Sequence, residues 1–153
     1  MNSFINKKRC CFAGHSQIEN SEVVRENLKK VIENLIINEN VLSFQVGNYG
    51  CFDDIALSVL IELKHKFRNI SIDVVVPYLT KKIFFELKKQ ISDYSVVIAH
   101  IPQSTPKKYQ IIKCNEYMVN SSDYLITYIR YTWGGAYRTK TYGEKKKIKI
   151  IEM

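Results

Sequence analysis

The sequence predicts an α/β fold in which a mostly parallel sheet of about five to six strands carries helices on both faces. Short apolar runs alternate along the chain with longer amphipathic segments, and these runs are continuously apolar instead of alternating between apolar and polar residues. Strands of this kind are buried on both faces, as in parallel sheets connected by helices. Right-handed crossovers then give a Rossmann-like, doubly wound sheet whose strand-to-helix loops gather at one edge.

Six short apolar runs are the predicted strands. Gly14 and Gly47 end the first two runs, and Pro77 ends the third. In chain order, the predicted strands cover residues 10–13, 41–46, 70–76, 95–99, 124–129 and 148–151.

Five segments between these strands are predicted helices. The clearest begins at Ser21, the expected N-cap, and repeats apolar residues at three- and four-residue spacing to Ile36. The second begins at Asp53 and Asp54 and ends in basic residues near Lys66, which matches the polarity of the helix dipole. The remaining helices are predicted at residues 80–91, 108–119 and 138–144, and residues 102–106 form a proline-containing loop.

The composition fits one compact domain over residues 1–153. Hydrophobic residues make up 46% of the chain, which has a formal charge of +8. A chain of this length buries about 68–70% of its unfolded surface, enough for a core without disulfides or metal. No apolar run approaches the roughly 18 residues that span a bilayer, and the first residues do not form a secretory signal. We therefore expect a cytoplasmic protein that has no membrane contact.

The four cysteines form no CxxC pair, which argues against a zinc site or a redox motif. Cys10 and Cys11 are adjacent in a strand and should point to opposite faces of the sheet. We expect reduced, mostly buried thiols, and we predict no metal and no cofactor.

The positive charge is concentrated in the last third of the chain. From Lys107 onward there are ten basic residues against four acidic ones, a net +6. Such a region either favours an anionic partner, a nucleic acid or a phosphorylated small molecule, or is simply a solvated surface.

Three loops place glycine at the carboxyl end of a predicted strand or at the start of a helix. They begin at Gly14, Gly47 and Trp133. Glycine lets backbone N–H groups approach a ligand, and a helix N-terminus attracts anions, so the loops suggest a phosphate or ribose cradle. None matches GxxxxGK[ST] or GxGxxG, which leaves a Walker-type NTPase and a dinucleotide dehydrogenase unsupported.

The predicted ligand-binding residues lie in these loops and at nearby strand and helix ends. They are Gly14, His15, Gly47, Asn48, Tyr49, Gly50, Asp53, Tyr78, Asn115, Trp133, Gly134, Gly135, Arg138 and Thr139. Two roles stay open for three of these residues. Asp53 is either a capping carboxylate or a general base, and His15 either binds phosphate or completes a turn. Trp133 either stacks on a base or covers the sheet edge. Catalytic residues are left unassigned.

The motifs at residues 11–15, 44–53 and 115–124, followed by Trp133-Gly134-Gly135, resemble small bacterial proteins of the SLOG superfamily. The resemblance spans about residues 9–151. The superfamily includes the LOG phosphoribohydrolases, the DNA-processing protein DprA and sensor domains for nucleotide-derived signals. The resemblance implies a Rossmann-like fold with a nucleotide-like ligand in the loops at the sheet edge.

Three departures from the family pattern bear on activity. Ser16 stands where the opening Gly-His-Arg motif has arginine, and Asn120 replaces the aspartate of a Met-Val-Asp segment. The LOG hydrolases carry a catalytic glutamate soon after Pro-Gly-Gly-x-Gly-Thr, whereas the first acid after Trp133 in this chain is Glu144. The resemblance is therefore compatible with phosphate binding without catalysis.

We consider three functions. In the first, a sensor or sequestering module binds a nucleotide or nucleotide-derived phosphorylated ligand. Anion contacts then come from the second and third loops and Arg130 or Arg138, and ribose contacts come from Asn48 or Asp53. The second is a LOG-like nucleoside-phosphate N-glycosidic hydrolase that uses Asp53 or Glu144. The third is single-stranded nucleic-acid binding driven by the basic charge. A homo-oligomer is left open.

The tyrosines divide into two groups by their predicted positions. Tyr124, Tyr128 and Tyr131 fall on or near the fifth strand, where we expect them to pack. Tyr49 and Tyr78 lie in strand-end loops and are the better ligand candidates.

Overall fold

The computed structural model of the chain describes residues 7–78, 81–82, 85 and 93–153. Within them lie the strands β1 (Lys8–Gly14), β2 (Val41–Val46), β3 (Ser71–Val76), β4 (Ser95–Ile98), β5 (Tyr124–Tyr128) and β6 (Lys149–Glu152). The helices are α1 (Ser21–Glu39), α2 (Cys51–Lys66), α3 (Gln110–Asn120), which follows a 3-10 turn at Lys107–Tyr109, and α4 (Gly135–Lys145). The helix predicted at 80–91 lies mostly outside the described residues. In the described part of the chain, no helix is long and apolar enough to cross a membrane.

All six strands run parallel in one sheet, in the order β4-β3-β2-β1-β5-β6. The chain adds β2, β3 and β4 outward on one side of β1 and then returns to add β5 and β6 on the other side. Cys11 lies opposite Leu125 across the β1–β5 junction, and Asp123 holds the start of this junction by accepting a hydrogen bond from the Arg9 N–H at 2.9 Å. The strand order therefore reverses between β1 and β5, the position at which doubly wound sheets bind ligands.

Alternate side chains of β1 enter two cores, one on each face of the sheet. Cys10 and Phe12 pack with buried residues of α1 and α2, whereas Cys11 and Ala13 pack with buried residues of α3. Burial on both faces explains why the strand is continuously apolar. The predicted α/β fold with a parallel sheet and helices on both faces is confirmed, as are the opposite orientations of the two cysteines. All four cysteines are free thiols.

Four predicted helix starts are wrong by one to three residues. Helix α3 begins at Gln110 instead of residue 108, after the 3-10 turn. Asn20, and not Ser21, is the N-cap of α1. Helices α2 and α4 begin two and three residues before their predicted starts, directly after the N-cap residues Gly50 and Gly134. Helices α1, α2 and α4 have no side-chain cap. The sequence offers two polar N-cap residues next to each other at Asn20 and Ser21, whereas Gly50 and Gly134 give α2 and α4 no polar marker.

Candidate functional site

A cavity of about 310 Å³ opens at the carboxyl end of β1, where the strand order reverses. We call it the switch-point cavity. The end of β1 contributes residues 12–14, and α3 contributes Ile111 and Asn115. The loops after β1 and β5, the loop before α2, and the starts of α2 and α4 complete the lining. Four distant segments meet here because parallel strands end at the same edge of the sheet.

Nine of the fourteen predicted ligand-binding residues line this cavity. They are Gly14, His15, Tyr49, Asp53, Asn115, Trp133, Gly134, Gly135 and Thr139. Gly47, Asn48 and Gly50 lie in the same loop as Tyr49 but outside the lining. Arg138 lines a neighbouring groove, and Tyr78 lines a separate cavity near the carboxyl ends of β3 and β4.

Gly47 and Gly50 allow close packing within the protein. A Cβ atom at Gly47 would lie 2.9 Å from Oδ2 of Asp53, and one at Gly50 would lie 2.7 Å from Cα of Ser16. These contacts account for both glycines without a ligand.

The first N–H groups of α2 bond to the loop after β1. Cys51 donates to the Ser16 carbonyl at 2.9 Å, and Phe52 donates to the His15 carbonyl at 3.3 Å. The loop before α2 was expected to offer backbone N–H groups to an anion. These N–H groups at the start of α2 are already hydrogen-bonded within the fold. The same bonds hold residues 15 and 16 against α2, so this wall of the cavity has a fixed backbone.

The N-terminus of α4 opens into the cavity. Gly134, Gly135, Ala136 and Thr139 all contribute to the lining. No side chain caps this helix, and the Thr139 hydroxyl donates to the Gly135 carbonyl at 2.9 Å, away from the first N–H groups. The first N–H groups of a helix lack partners within the helix and carry a partial positive charge. This end of the cavity is therefore suited to an anion.

Gly134 is required by the backbone at this helix start. Its φ of 94° and ψ of 179° lie in a region that is essentially restricted to glycine. Gly135 has ordinary helical geometry, and a Cβ atom there would have no neighbour within 4 Å. The open space at Gly135 belongs to the cavity that it lines.

Three aromatic rings form a continuous stack at the mouth of the cavity. The rings of His15 and Tyr131 lie 4.0 Å apart between centroids, and those of Tyr131 and Trp133 lie 4.1 Å apart. Exposure rises along the stack, from 7% for His15 to 38% for Tyr131 and 67% for Trp133. Trp133, the only tryptophan in the chain, therefore presents a largely exposed ring that is held in place from behind.

His15 joins the two sides of the cavity as a neutral imidazole. Its Nε2 atom accepts a hydrogen bond from the Arg130 N–H at 2.8 Å. Burial, with a smaller contribution from the Arg130 charge, lowers the pKa of His15 below its usual value. The neutral form keeps the Nε2 lone pair available for this bond.

The Arg130 side chain is engaged elsewhere. Its guanidinium donates to the Met153 carbonyl at 2.8 Å and lies 3.9 Å from the centre of the Tyr128 ring. Arg130 is not part of the cavity lining, and its contact with the site is its backbone bond to His15.

Asp53 is the carboxylate that lines the cavity. It is partly buried at the third position of α2, where its Oδ2 atom accepts a hydrogen bond from the Tyr49 N–H at 3.0 Å. The bond resembles the predicted capping contact, but the donor is the residue before the N-cap. Burial raises the pKa of Asp53 to about 6 despite this bond. Burial likewise raises the pKa of Tyr49 above its ordinary value.

The second predicted acid lies away from the site. Glu144 is near the carboxyl end of α4, about 13 Å along the helix from Gly135 at 1.5 Å per residue, and does not line the cavity. Among the described residues, no three His, Cys, Asp or Glu side chains form a group that could hold a metal ion.

Sequence reasoning missed Tyr131 as a site residue. Tyr131 was expected to pack on or near the fifth strand, but β5 ends at Tyr128 and Tyr131 lies in the following loop, partly exposed in the aromatic stack. The sequence signal that could have identified Tyr131 as a site residue was its position two residues before Trp133. Ser16, Ile111 and Ala136 were also missed, and they contribute to the lining.

Comparison with known proteins identifies the fold. No family model and no curated protein matches the sequence. Three chains of known structure match. DNA processing protein A from Streptococcus pneumoniae has 16% identity and a TM-score of 0.67, over 95% of this chain and 50% of that one. DNA processing protein A from Helicobacter pylori, which binds single-stranded DNA, has 11% identity and a TM-score of 0.67, over 95% of this chain and 65% of that one.

The chain thus spans between half and two thirds of the length of these two proteins. At such low identity, the similarity establishes a shared Rossmann-like fold. It agrees with the fold expected from the resemblance to the SLOG superfamily, which includes DprA.

Proposed function

We propose that this chain is a bacterial member of the SLOG superfamily and binds a nucleotide or nucleotide-derived phosphorylated ligand in the switch-point cavity. One observation carries the proposal: the uncapped N-terminus of α4 and the exposed ring of Trp133 adjoin the same cavity of about 310 Å³. An anion site beside an aromatic surface matches the two chemically distinct parts of a nucleotide, its phosphate and its base.

Each part of such a ligand has a partner in the cavity. The phosphate lies at the first N–H groups of α4, near Gly135 and Ala136, and the base stacks on Trp133. Asp53 and Asn115 supply polar groups for the sugar, the carboxylate as an acceptor of hydroxyl protons. The fixed backbone at His15 and Ser16 means that the site needs little ordering on binding, which favours affinity.

We favour binding without bond cleavage because only one of the two candidate hydrolase carboxylates lies at the cavity, and the chain has no acid soon after Trp133-Gly134-Gly135, where the LOG hydrolases carry their catalytic glutamate. Asp53 is the carboxylate in the lining, and Glu144 lies at the far end of α4. We therefore propose a cytoplasmic sensor or sequestering module. Incubation with nucleoside monophosphates should release no free base, whereas steady release would establish the hydrolase.

The experiment that tests ligand binding uses Trp133 as its own reporter. Titration with AMP, GMP, CMP, UMP, NAD and cyclic nucleotides should produce saturable quenching of the tryptophan fluorescence with at least one of them. Ala136→Asp places a carboxylate in the first turn of α4, where it suits the helix dipole but repels phosphate. It should weaken binding by roughly tenfold, or about 1.4 kcal/mol, without loss of stability.

The matched control is Ala136→Asn, which has nearly the same size and no charge. Its binding should stay close to that of the parent chain. Equal loss in the two variants, or no quenching by any ligand at millimolar concentration, would contradict the proposal.

Single-stranded DNA is the second candidate ligand. The 67% exposure of Trp133 leaves a stacking surface that reaches beyond the cavity, and the H. pylori structural neighbour binds single-stranded DNA. Binding of a labelled oligodeoxynucleotide should weaken by about tenfold or more between 50 and 200 mM salt, because phosphate contacts release counterions. Absence of binding at low salt would remove this candidate.

A further inference from the structure

A second concave surface adjoins the switch-point cavity along α4. It has a volume of about 460 Å³ and lies between α3 and α4, and we call it the helical groove. Trp133, Gly134, Gly135 and Thr139 line both the groove and the cavity. The start of α4 therefore forms a shared wall, and a ligand that leaves the cavity past Trp133 enters the groove.

The groove carries cations that suit phosphate. Arg138 and Lys145 line it from α4, and in the part of the chain that the structure describes neither pairs with a carboxylate. Glu116 also lines the groove, but it pairs with Lys113 at 3.1 Å. The unpaired charge in the groove is thus positive.

Two cations follow the start of α4 along one side of the helix. Arg138 lies three residues after Gly135, about 4.5 Å along the helix, and Lys145 lies two further turns on, on the same side. The rings of Tyr137 and Tyr142 also line the groove. Aromatic side chains beside cations are the combination that binds unpaired bases and their backbone.

The volumes of the cavity and the groove also favour a ligand larger than one nucleotide. The switch-point cavity alone is at the lower limit of the roughly 300–1,000 Å³ typical of small-molecule sites, whereas cavity and groove together fall well inside that range.

We infer that the ligand has two nucleoside units joined through phosphate, the first in the switch-point cavity and the second in the helical groove, with Trp133 between them. The inference rests on the proposed function, because it assumes a nucleotide in the cavity. A free dinucleotide and the end of a single strand share this chemistry.

The test compares three probes by Trp133 fluorescence: dAMP, the linear dinucleotide pdApdA and a 20-residue oligo(dA). The dinucleotide should bind at least about tenfold more tightly than dAMP, because the second unit binds at a high effective concentration. Lys145→Ala, at the far end of the groove, should reduce this gain and leave the affinity for dAMP unchanged, whereas Arg138→Ala should weaken pdApdA binding more than dAMP binding. Lys30→Ala removes the same charge from an exposed site on α1 and should change neither affinity.

Equal affinities for dAMP and pdApdA, within about twofold, would overturn the inference while leaving the proposed function intact. Loss of dAMP and pdApdA binding to the same extent in the groove variants would also overturn it. Failure of all three probes would overturn the inference, and the proposed function would fall with it only if the titration with AMP, GMP, CMP, UMP, NAD and cyclic nucleotides also gave no quenching. The oligo(dA) arm identifies the source: binding about tenfold tighter than pdApdA supports the inference with a strand as ligand, and equal binding supports it with a free dinucleotide.

Discussion

The imidazole of His15 and the phenol ring of Tyr131 stack with their centroids 4.0 Å apart and their planes at 11°. His15 follows β1, and Tyr131 follows β5, so the contact joins the two strands between which the sheet order reverses. The hydrogen bond from the Arg130 N–H to His15 Nε2 fastens the same pair of segments. The rings of Tyr131 and His15, together with this backbone bond, therefore hold the exposed ring of Trp133 in place.

Removal of the Tyr131 ring should weaken both the fold and the site. Tyr131→Ala removes the stacking contacts with His15 and Trp133 and should lower the free energy of unfolding by about 1–2 kcal/mol. Nucleotide affinity should fall as well, because Trp133 loses its support. Tyr131→Phe keeps the ring and is the control. Urea unfolding and fluorescence titration measure the two effects, and equal losses in both variants would show that the hydroxyl, and not the stack, matters.

Asp53 should make the protein less stable as pH rises from about 4 to 6. Its pKa of about 6 in the folded chain exceeds its ordinary value of 3.8, so within this range the folded state holds the proton more tightly than the unfolded state. Above pH 6 the ionised carboxylate costs up to about 3 kcal/mol. Asp53→Asn should therefore raise the free energy of unfolding at pH 7 and leave it nearly unchanged at pH 4.

Glu19→Gln, which removes the same charge from an exposed loop residue, serves as the control for this prediction. Retention of a carboxylate that lowers stability is typical of a functional site. Nucleotide affinity should accordingly fall in Asp53→Asn. A variant that gains no stability at pH 7 would contradict the elevated pKa.

His15 should have the opposite pH dependence. The pKa of His15 lies below 6.5 in the folded chain, so the unfolded chain takes up the proton first as pH falls. Stability is therefore lost as pH drops below about 6.5. In the parent chain Asp53 opposes this loss, and Asp53→Asn should reveal it. Adding His15→Gln to that variant should flatten the stability profile between pH 5 and 7, and an unchanged slope would assign the dependence to another group.

The two adjacent glycines at the start of α4 should respond to alanine in opposite directions. Gly134→Ala forces a side chain into a glycine-only conformation and should cost about 1–3 kcal/mol of stability. Gly135→Ala meets no neighbour and should gain roughly 0.5 kcal/mol, because alanine loses less entropy in a helix. Its methyl group enters the cavity, however, so nucleotide affinity should fall by about tenfold. Thermal unfolding and titration of both variants check this, and destabilisation by Gly135→Ala would contradict it.

The strands were predictable to within about two residues because each is a continuous apolar run with a clear stop. The starts of α2 and α4 were not, since Gly50 and Gly134 take the N-cap position without a capping side chain. In a sequence, a glycine that precedes a helix looks the same whether it ends a loop or begins the helix. The predicted starts, Asp53 and Arg138, lie two and three residues after the first residues of the helices, Cys51 and Gly135.

The candidate site was predictable where a residue directly follows a parallel strand, as with His15 and Trp133. It was less predictable within the loop before α2, where Tyr49 lines the cavity and its neighbours Asn48 and Gly50 do not. Whether a glycine approaches a ligand or another segment of the same chain depends on tertiary packing. Tyr131 was missed for a different reason, because β5 ends three residues before it.

The sheet order also makes the ligand site depend on distant parts of the chain. Strands β1, β2 and β3 and helices α1 and α2 are contiguous in sequence and supply most of the larger core. Without the final third of the polypeptide, the cavity lacks Tyr131, Trp133 and the start of α4. Ligand affinity therefore reports whether that final third is docked beside β1, whereas the helical signal comes in large part from α1 and α2.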